Sequence, residues 1–281
     1  MTARIRADLE SVPGYVPGRT IPGAVKLASN EVSAGPLPSV LAAIADAAAG
    51  VNRYPDNGVT ALLDRLAARL EVPTSQLTAG CGAVMLCQQL MQATCGPADE
   101  VLFAWRSFEA YREFVTDPDV PDGVALGRDR DNLAVLRTFS KAYGLAGLRV
   151  GYCVAPEPVT AALGKVYVPF SVNSLAQTAA LASLQVADEL LARCRGVAAE
   201  RDRVHAELLA MGYPVPESQA NFVWLPLGEQ TTAFTEHCLE HKVVIRAFPG
   251  DGARVTVGDH GENEAFLAAA RGFPLTHPAE R

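Results

Sequence analysis

The chain has 281 residues, 49% hydrophobic and 20% charged, with a net charge of −7. That balance supports a packed core in one large or two modest domains and excludes disorder of the whole chain. Its acidity, with Lys and Arg scattered, excludes a nucleic-acid-binding face, and no apolar run reaches the length of a membrane span. No apolar stretch follows Arg4 and Arg6, so no secretory leader is expected and the expected location is the cytoplasm. The cysteines at 81, 87, 95, 153, 194 and 238 form no CxxC pair, and reduced, mostly buried thiols are expected. Cys81, between two glycines, reads as a small space-filling residue, with thiolate chemistry as the alternative.

Residues 1–35 read as an extended arm punctuated by Pro13, Gly14, Pro17, Gly18, Pro22 and Gly23. The spacing predicts a helix over 37–48 ended by Gly50, a loop over 52–58, and an amphipathic helix over 60–70. Gly80-Cys81-Gly82 opens a helix over 82–95. Residues 100–105 read as a short buried strand and 118–127 as turn-rich. Strands are predicted at 134–138 and 148–155. Residues 174–209 read as nearly continuous helix, in one or two pieces. Strand-like runs at 221–227, 243–247 and 253–257 are accompanied by helices at 231–241 and 262–270. Strands alternating with helices predict an α/β protein, and the closing βαββα order predicts a smaller α/β domain. The expected organisation is an arm over 1–35, a large domain over 36–170 and a small domain over 171–281.

The most informative stretch is Leu136-Arg137-Thr138-Phe139-Ser140-Lys141-Ala142-Tyr143-Gly144-Leu145-Ala146-Gly147-Leu148-Arg149-Val150-Gly151-Tyr152. A lysine at a strand end, held against apolar neighbours, can act as an amine nucleophile. The Ser140 hydroxyl beside it and Arg149 farther on could grip a phosphate. That pairing suits pyridoxal phosphate, whose aldehyde needs a lysine and whose phosphate needs an anion cup. The alternative is a surface lysine in a loop. Gly80-Cys81-Gly82-Ala83-Val84 is the second element: glycines where a helix begins free backbone N–H groups to face an anion, with the helix dipole assisting. A helix-opening turn without a ligand is its alternative.

Other patterns carry less. His237-Cys238-Leu239-Glu240-His241 matches the H-x-x-E-H pattern, with two histidines as zinc ligands and Glu240 as base. A solvated face of a short polar helix accounts for it better, and no metal is expected. His205, His260 and His277 read as surface groups. Glu200-Arg201-Asp202-Arg203 reads as a solvated, ion-paired helix face.

The segment 138–152 closely resembles the Schiff-base segment of fold-type I pyridoxal-phosphate aminotransferases, within their histidinol-phosphate and aromatic amino acid (phenylalanine) branch. Leu27-Ala28-Ser29-Asn30-Glu31 and Asn52-Arg53-Tyr54-Pro55-Asp56 are similar to that branch's N-terminal signatures. Ser218-Gln219-Ala220-Asn221-Phe222 and Arg254-Val255-Thr256-Val257-Gly258 are similar to its C-terminal ones. Trp105-Arg106-Ser107-Phe108 and Val166-Tyr167-Val168-Pro169-Phe170 lean toward aromatic substrates. The resemblance implies a three-layer large domain, a smaller α/β domain, pyridoxal 5'-phosphate as cofactor and a homodimer. It implies amino transfer between an aromatic amino acid, or histidinol phosphate, and 2-oxoglutarate. By the same resemblance Lys141 carries the cofactor and shuttles the α-proton. Ser140, Arg149 and the amides of Ala83 and Val84 hold the phosphate. Tyr54 reaches the phosphate of the neighbouring subunit, Phe108 stacks on the ring, and Tyr111 stands near the ring hydroxyl. Arg254 binds the substrate carboxylate, with Asn30 beside it.

One departure is large. The family continues from its ring-stacking motif through Asn-Pro-x-Asn-Pro-Thr-Gly to Asp-Glu-Ala-Tyr. This chain reads Trp105-Arg106-Ser107-Phe108-Glu109-Ala110-Tyr111-Arg112-Glu113-Phe114-Val115, as if the two motifs were joined at a shared Glu-Ala-Tyr. The large domain is therefore expected to be shortened around 108–115. The aspartate that the family places on the ring nitrogen is missing, with Phe108 standing in its place, and activity is expected to be impaired. A catalytically inactive relic or a binding protein is the alternative reading, with a zinc hydrolase at His237 and His241 third.

Overall fold

The computed structural model describes residues 6–12, 14, 18–96, 98–102 and 112–276. In chain order its elements are β1 (Val25–Leu27), α1 (Pro38–Ala48), α2 (Thr60–Leu70), β2 (Leu77–Gly80), α3 (Ala83–Thr94), α4 (Gly123–Gly127), β3 (Val135–Thr138), β4 (Gly151–Val154), α5 (Glu157–Lys165), α6 (Ser174–Gln185), α7 (Ala187–Ala210), β5 (Phe222–Leu225), α8 (Thr231–Glu240), β6 (Val243–Phe248), β7 (Gly252–Thr256) and α9 (His260–Gly272).

Two sheets organise them. The first has the order β2-β4-β3, with β4 antiparallel to both neighbours. Every residue of β4 is buried, because the strand is covered on both faces. Alternation along it sends Cys153 toward Leu86 and Leu163 of α3 and α5. Tyr152 and Val154 face the opposite way, toward Leu66 of α2 and Ala176 and Ala180 of α6. This is a three-layer arrangement with a narrow sheet. The second sheet, β1-β6-β7-β5, closes over Val204 and Leu208 of α7, Phe234 of α8 and Phe266 of α9.

Local chemistry sets the helix ends. The Asp56 carboxylate accepts the amides of Gly58 and Thr60 at 2.9 and 2.7 Å, fixing the turn into α2 and holding its own pKa below the usual value. Asn173 caps α6 by accepting the Ala176 amide at 2.8 Å. Asp259 and Glu262 form a capping box at the start of α9.

Several elements differ from the sequence reading. β2 reads Leu-Thr-Ala-Gly, a composition poor in strand formers, and exists because β4 pairs with it. α5 contains Pro158 and Gly164, but the proline sits in the first turn, where it is tolerated. Of the strand expected over 100–105, residues 100–102 have no strand pairing and 103–105 lie outside the described residues. β1 pairs parallel with β6, so residues 25–27 of the expected arm belong to the second sheet. The sequence reading changed domain at residue 171. In the fold, α6 packs into the first core, and α7 passes from Leu190 and Cys194 in that core to Val204 and Leu208 in the second.

Arg201 overturns the reading of 200–203 as a solvated face. It lies on the buried stripe of α7, in helical spacing with Cys194, Ala198, Val204 and Leu208, and is 2% exposed. It donates to the carbonyls of Phe114 and Ala220 at 3.1 and 3.3 Å, to Thr116 Oγ1 at 3.2 Å, and pairs with Asp202 at 2.9 Å. It thereby fastens the chain around 114–116 to the segment just ahead of β5. Replacing it with methionine strands buried acceptors, so Arg201→Met is expected to cost about 3 kcal/mol in urea unfolding. Stability equal to the parent would contradict this clamp.

Candidate functional site

Lys141 stands where β3 has just ended. The Phe139 amide still donates to the Val150 carbonyl at 3.1 Å, and the Ser140 amide turns onto Thr138 Oγ1 at 3.1 Å. A turn closed by the Gly144 amide on the Lys141 carbonyl at 2.8 Å follows. Half-buried, Lys141 sends Nζ to the Ser29 carbonyl at 3.1 Å, beyond the end of β1 and across to the second domain.

Three segments then meet. Arg149, in the left-handed region at φ 58°, donates from Nη1 to Ser140 Oγ at 3.3 Å and to the Ala146 carbonyl at 2.9 Å. Its guanidinium lies against Gly82, the residue that caps α3: a Cβ there would fall 2.6 Å from Arg149 Nη2. Gly82 also holds φ +81°, open to glycine at little cost. Behind it, a Cβ on Gly151 would meet the Ala83 amide at 2.7 Å, so β4 is seated against the start of α3. The first-turn amides of Ala83 and Val84 have no acceptor among the described residues. A hydroxyl, a guanidinium and free helix N-terminal amides thus surround one small space, beside an amine. This donor set fits a phosphate dianion next to a carbonyl-reactive lysine. Gly82→Ala is expected to weaken cofactor binding about tenfold or more, since the added methyl must displace Arg149 at a strained φ. A fluorescence titration with pyridoxal phosphate checks this, and unchanged affinity would contradict it.

The opposite wall comes from the second domain. Asn30, at φ 53° and fully buried, donates its amide to Thr256 Oγ1 at 2.9 Å, and that hydroxyl donates to Asn30 Oδ1 at 3.2 Å. Asn221 Nδ2 donates to the Asn30 carbonyl at 3.0 Å. Arg254 on β7 reaches the Ala28 carbonyl at 3.4 Å, with its guanidinium 5.6 Å from the centre of the Phe222 ring. Residues 28–30 therefore meet Lys141 from one domain and Arg254 from the other. Asn221 and Thr256 lie in motifs that sequence reasoning singled out without giving either residue a role. Both are hydrogen-bonded to Asn30, and Asn221 Oδ1 is buried without a hydrogen-bond partner among the described residues.

Other expected residues are placed differently. Tyr54 is 82% exposed and stacks on Phe170, with ring centres 4.6 Å apart. Within one chain it is a surface residue and is not part of the Ser140–Arg149 cup. Phe108 and Tyr111 lie outside the described residues, as does Glu109. Glu113 lies near Tyr143, whose pKa is pushed up to about 12, first by burial and then by that carboxylate. Asp117 accepts the Asp119 amide at 2.8 Å.

The H-x-x-E-H reading is not supported. His237 Nε2 shares a hydrogen bond with the Ala269 carbonyl at 3.0 Å, and His241 Nδ1 shares one with the His237 carbonyl at 2.9 Å. Among the described residues no group of three or more His, Cys, Asp or Glu could hold a metal ion. All six cysteines are unbridged, and burial pushes the thiols of Cys153, Cys194 and Cys238 up to about 12, so those three are inert. Among the described residues no helix is long and apolar enough to cross a membrane.

Similarity to known proteins identifies the family. The family model for aminotransferase class I and II matches residues 107–269. An aromatic amino acid aminotransferase of Rhodococcus jostii is 48% identical, over 96% of this chain and 96% of that protein. One from Mycobacterium marinum is 44% identical, over 99% of each. A histidinol-phosphate aminotransferase from Sinorhizobium meliloti, solved with pyridoxal-5'-phosphate, superposes with a TM-score of 0.78 at 21% identity, covering 96% of this chain and 97% of that one. That likeness concerns the fold. The Rhodococcus alignment runs over 343 positions against 281 residues here, so at least 62 aligned positions have no counterpart in this chain.

Proposed function

Because the chain belongs to the aminotransferase class I and II family, whose members depend on pyridoxal phosphate, we propose that it transfers the amino group of an aromatic amino acid to a 2-oxo acid such as 2-oxoglutarate. The observation that carries the proposal is the meeting of Ser140, Arg149, Gly82 and the α3 amides beside Lys141. The aromatic preference draws on the relatives' names.

When bound, pyridoxal phosphate supplies an aldehyde for the substrate amine and a ring that draws electrons from the Cα–H bond. The chain's own residues do the rest. Ser140 Oγ, the Arg149 guanidinium and the Ala83 and Val84 amides would hold the phosphate. Lys141 Nζ would hold the aldehyde carbon until the substrate amine replaces it there and, once released as the free amine, would move a proton at the substrate Cα. Arg254 would orient the substrate by its carboxylate, and Asn30, fixed by Thr256 and Asn221, would shape the pocket beside it. Phe108 would stack on the ring and Tyr111 would stand near its hydroxyl, as the resemblance implies.

A homodimer belongs to the same reading. Tyr54 and Phe170 present a stacked aromatic pair at the surface, suited to packing on a second subunit and passing the Tyr54 hydroxyl to its phosphate. The unbridged cysteines suit a reducing cytoplasm. A second reading, a cofactor-binding chain with little turnover, is favoured by the unmatched alignment positions.

A competition assay tests the substrate. With the missing residues restored, phenylalanine or tyrosine is expected to outcompete histidinol phosphate as amino donor. Preference for the phosphate ester would refute the aromatic assignment.

A further inference from the structure

A cavity of about 320 Å³ lies against the turn that follows Lys141. Ala142, Tyr143 and Gly144 of that turn line it, with α7 from Leu190 to Glu200, the chain over 32–35, and residues 257–259 after β7. Both domains therefore contribute walls. Lys141, Ser140, Arg149, Asn30 and Arg254 are not among them, so this space is separate from the site described above.

The walls define what fits. Val32, Leu190, Val197 and Val257 make them largely apolar. The charged groups on the walls are already engaged by the protein. Arg193 donates to the Gly35 carbonyl at 2.9 Å. Glu200 accepts Arg203 at 3.1 and 2.9 Å and Asn263 Nδ2 at 2.9 Å, and Asp259 accepts the Glu262 amide at 2.8 Å. Tyr143 is different. It is 7% exposed, and its hydroxyl has no hydrogen-bond partner among the described residues. Burial pushes its pKa up to about 12, so near neutral pH it keeps its proton and stands as a donor without an acceptor. Burial likewise keeps the Cys194 thiol neutral.

One glycine adds a second observation. Gly144 on the wall holds φ +68°, and a Cβ on Gly258 would strike Glu262, so backbone shape or contact accounts for both. Gly196 lies inside α7, where glycine costs helix stability, yet a Cβ there meets no atom within 4 Å. Neither strain nor crowding explains it, and the missing side chain leaves the cavity wall open.

We propose that this cavity is a binding site for a small, uncharged, mainly apolar molecule that presents one hydrogen-bond acceptor to the Tyr143 hydroxyl. Its volume stands near the lower end of ligand pockets, roughly 300 Å³, and admits a molecule of about one substituted ring. The engaged charges give an ionic ligand no free partner, and an apolar body with a carbonyl or ether oxygen matches the walls and the waiting donor. The inference rests on the cavity alone and stands apart from the aminotransferase reading.

Fluorine NMR of the full chain, with and without saturating pyridoxal phosphate, tests it. The probes are 4-fluoroacetophenone, which carries an acceptor, and 4-fluoroethylbenzene, which has nearly the same shape without one. The ketone is expected to bind roughly fivefold more tightly than the hydrocarbon, the value of one hydrogen bond. Tyr143→Phe should lower the ketone to the hydrocarbon's affinity and leave the hydrocarbon unchanged. Gly196→Phe, with room for its ring, should abolish binding of both, and pyridoxal phosphate should displace neither. Circular dichroism checks that each variant is folded; if one is not, the ratio of the two probes and the competition in the parent chain decide. Binding of neither probe would overturn the proposal and mark the cavity as holding water only. So would equal affinity of the two in the parent, an unchanged ketone affinity in folded Tyr143→Phe, unchanged binding in folded Gly196→Phe, or displacement by pyridoxal phosphate, which would place the probe at Lys141. None of these outcomes alters whether Lys141 takes up pyridoxal phosphate.

Discussion

Borohydride reduction in the presence of pyridoxal phosphate is expected to label Lys141 and to leave Lys26, Lys165 and Lys242 unmodified. Lys141 alone combines partial burial at a strand end with a neighbouring hydroxyl and guanidinium that can hold the phosphate. Lys26 is paired with Glu31 at 2.9 Å, and Lys165 closes α5. Lys141→Ala should remove the label and all measurable transamination. Peptide mapping by mass spectrometry gives the answer, and label spread over the other lysines would remove the basis for the site.

The second large effect concerns rate. Loaded with pyridoxal phosphate, the chain is expected to turn over phenylalanine about a hundred- to a thousandfold more slowly than a version carrying the missing residues. The family pattern places an aspartate on the ring nitrogen, where its charge keeps the ring an electron sink. A preorganised partner of that kind is worth about 3–4 kcal/mol. Between residues 106 and 118 the only carboxylates are Glu109, Glu113 and Asp117. Glu113 lies near Tyr143, and Asp117 is engaged by the Asp119 amide. The narrow sheet adds to the loss, because among the described residues no strand pairs with the second side of β3. Steady-state kinetics on both versions decide. Equal rates would mean that one of the three carboxylates serves the ring.

The site was legible in the sequence where its residues are neighbours. Ser140, Lys141 and Arg149 share one strand–loop–strand segment, and Gly82 with Ala83 opens one helix, so residue types and spacing pointed to residues that the fold brings together. Asn30, Asn221 and Thr256 form one hydrogen-bonded group only because β1 and the chain after it are drawn onto the second sheet. No local spacing encodes that. Arg201 misled for a related reason: its charged neighbours suggest solvent, while the three- and four-residue spacing of α7 places it inside. β2 was hidden by a composition that only its partner β4 makes strand-like. The shortening was visible because two quoted motifs share Glu-Ala-Tyr, and the relatives' longer alignments agree with it.

The most direct measurement is a single-turnover half-reaction. The chain is loaded with one equivalent of pyridoxal phosphate, phenylalanine is added without a 2-oxo acid, and the near-visible absorption is followed. A slow but stoichiometric change from the aldehyde to the amine form of the cofactor, absent in Lys141→Ala, is the expected result. A chain that binds the cofactor and leaves its absorption unmoved by phenylalanine, or that never develops the band, would contradict the assignment of this site to amino transfer.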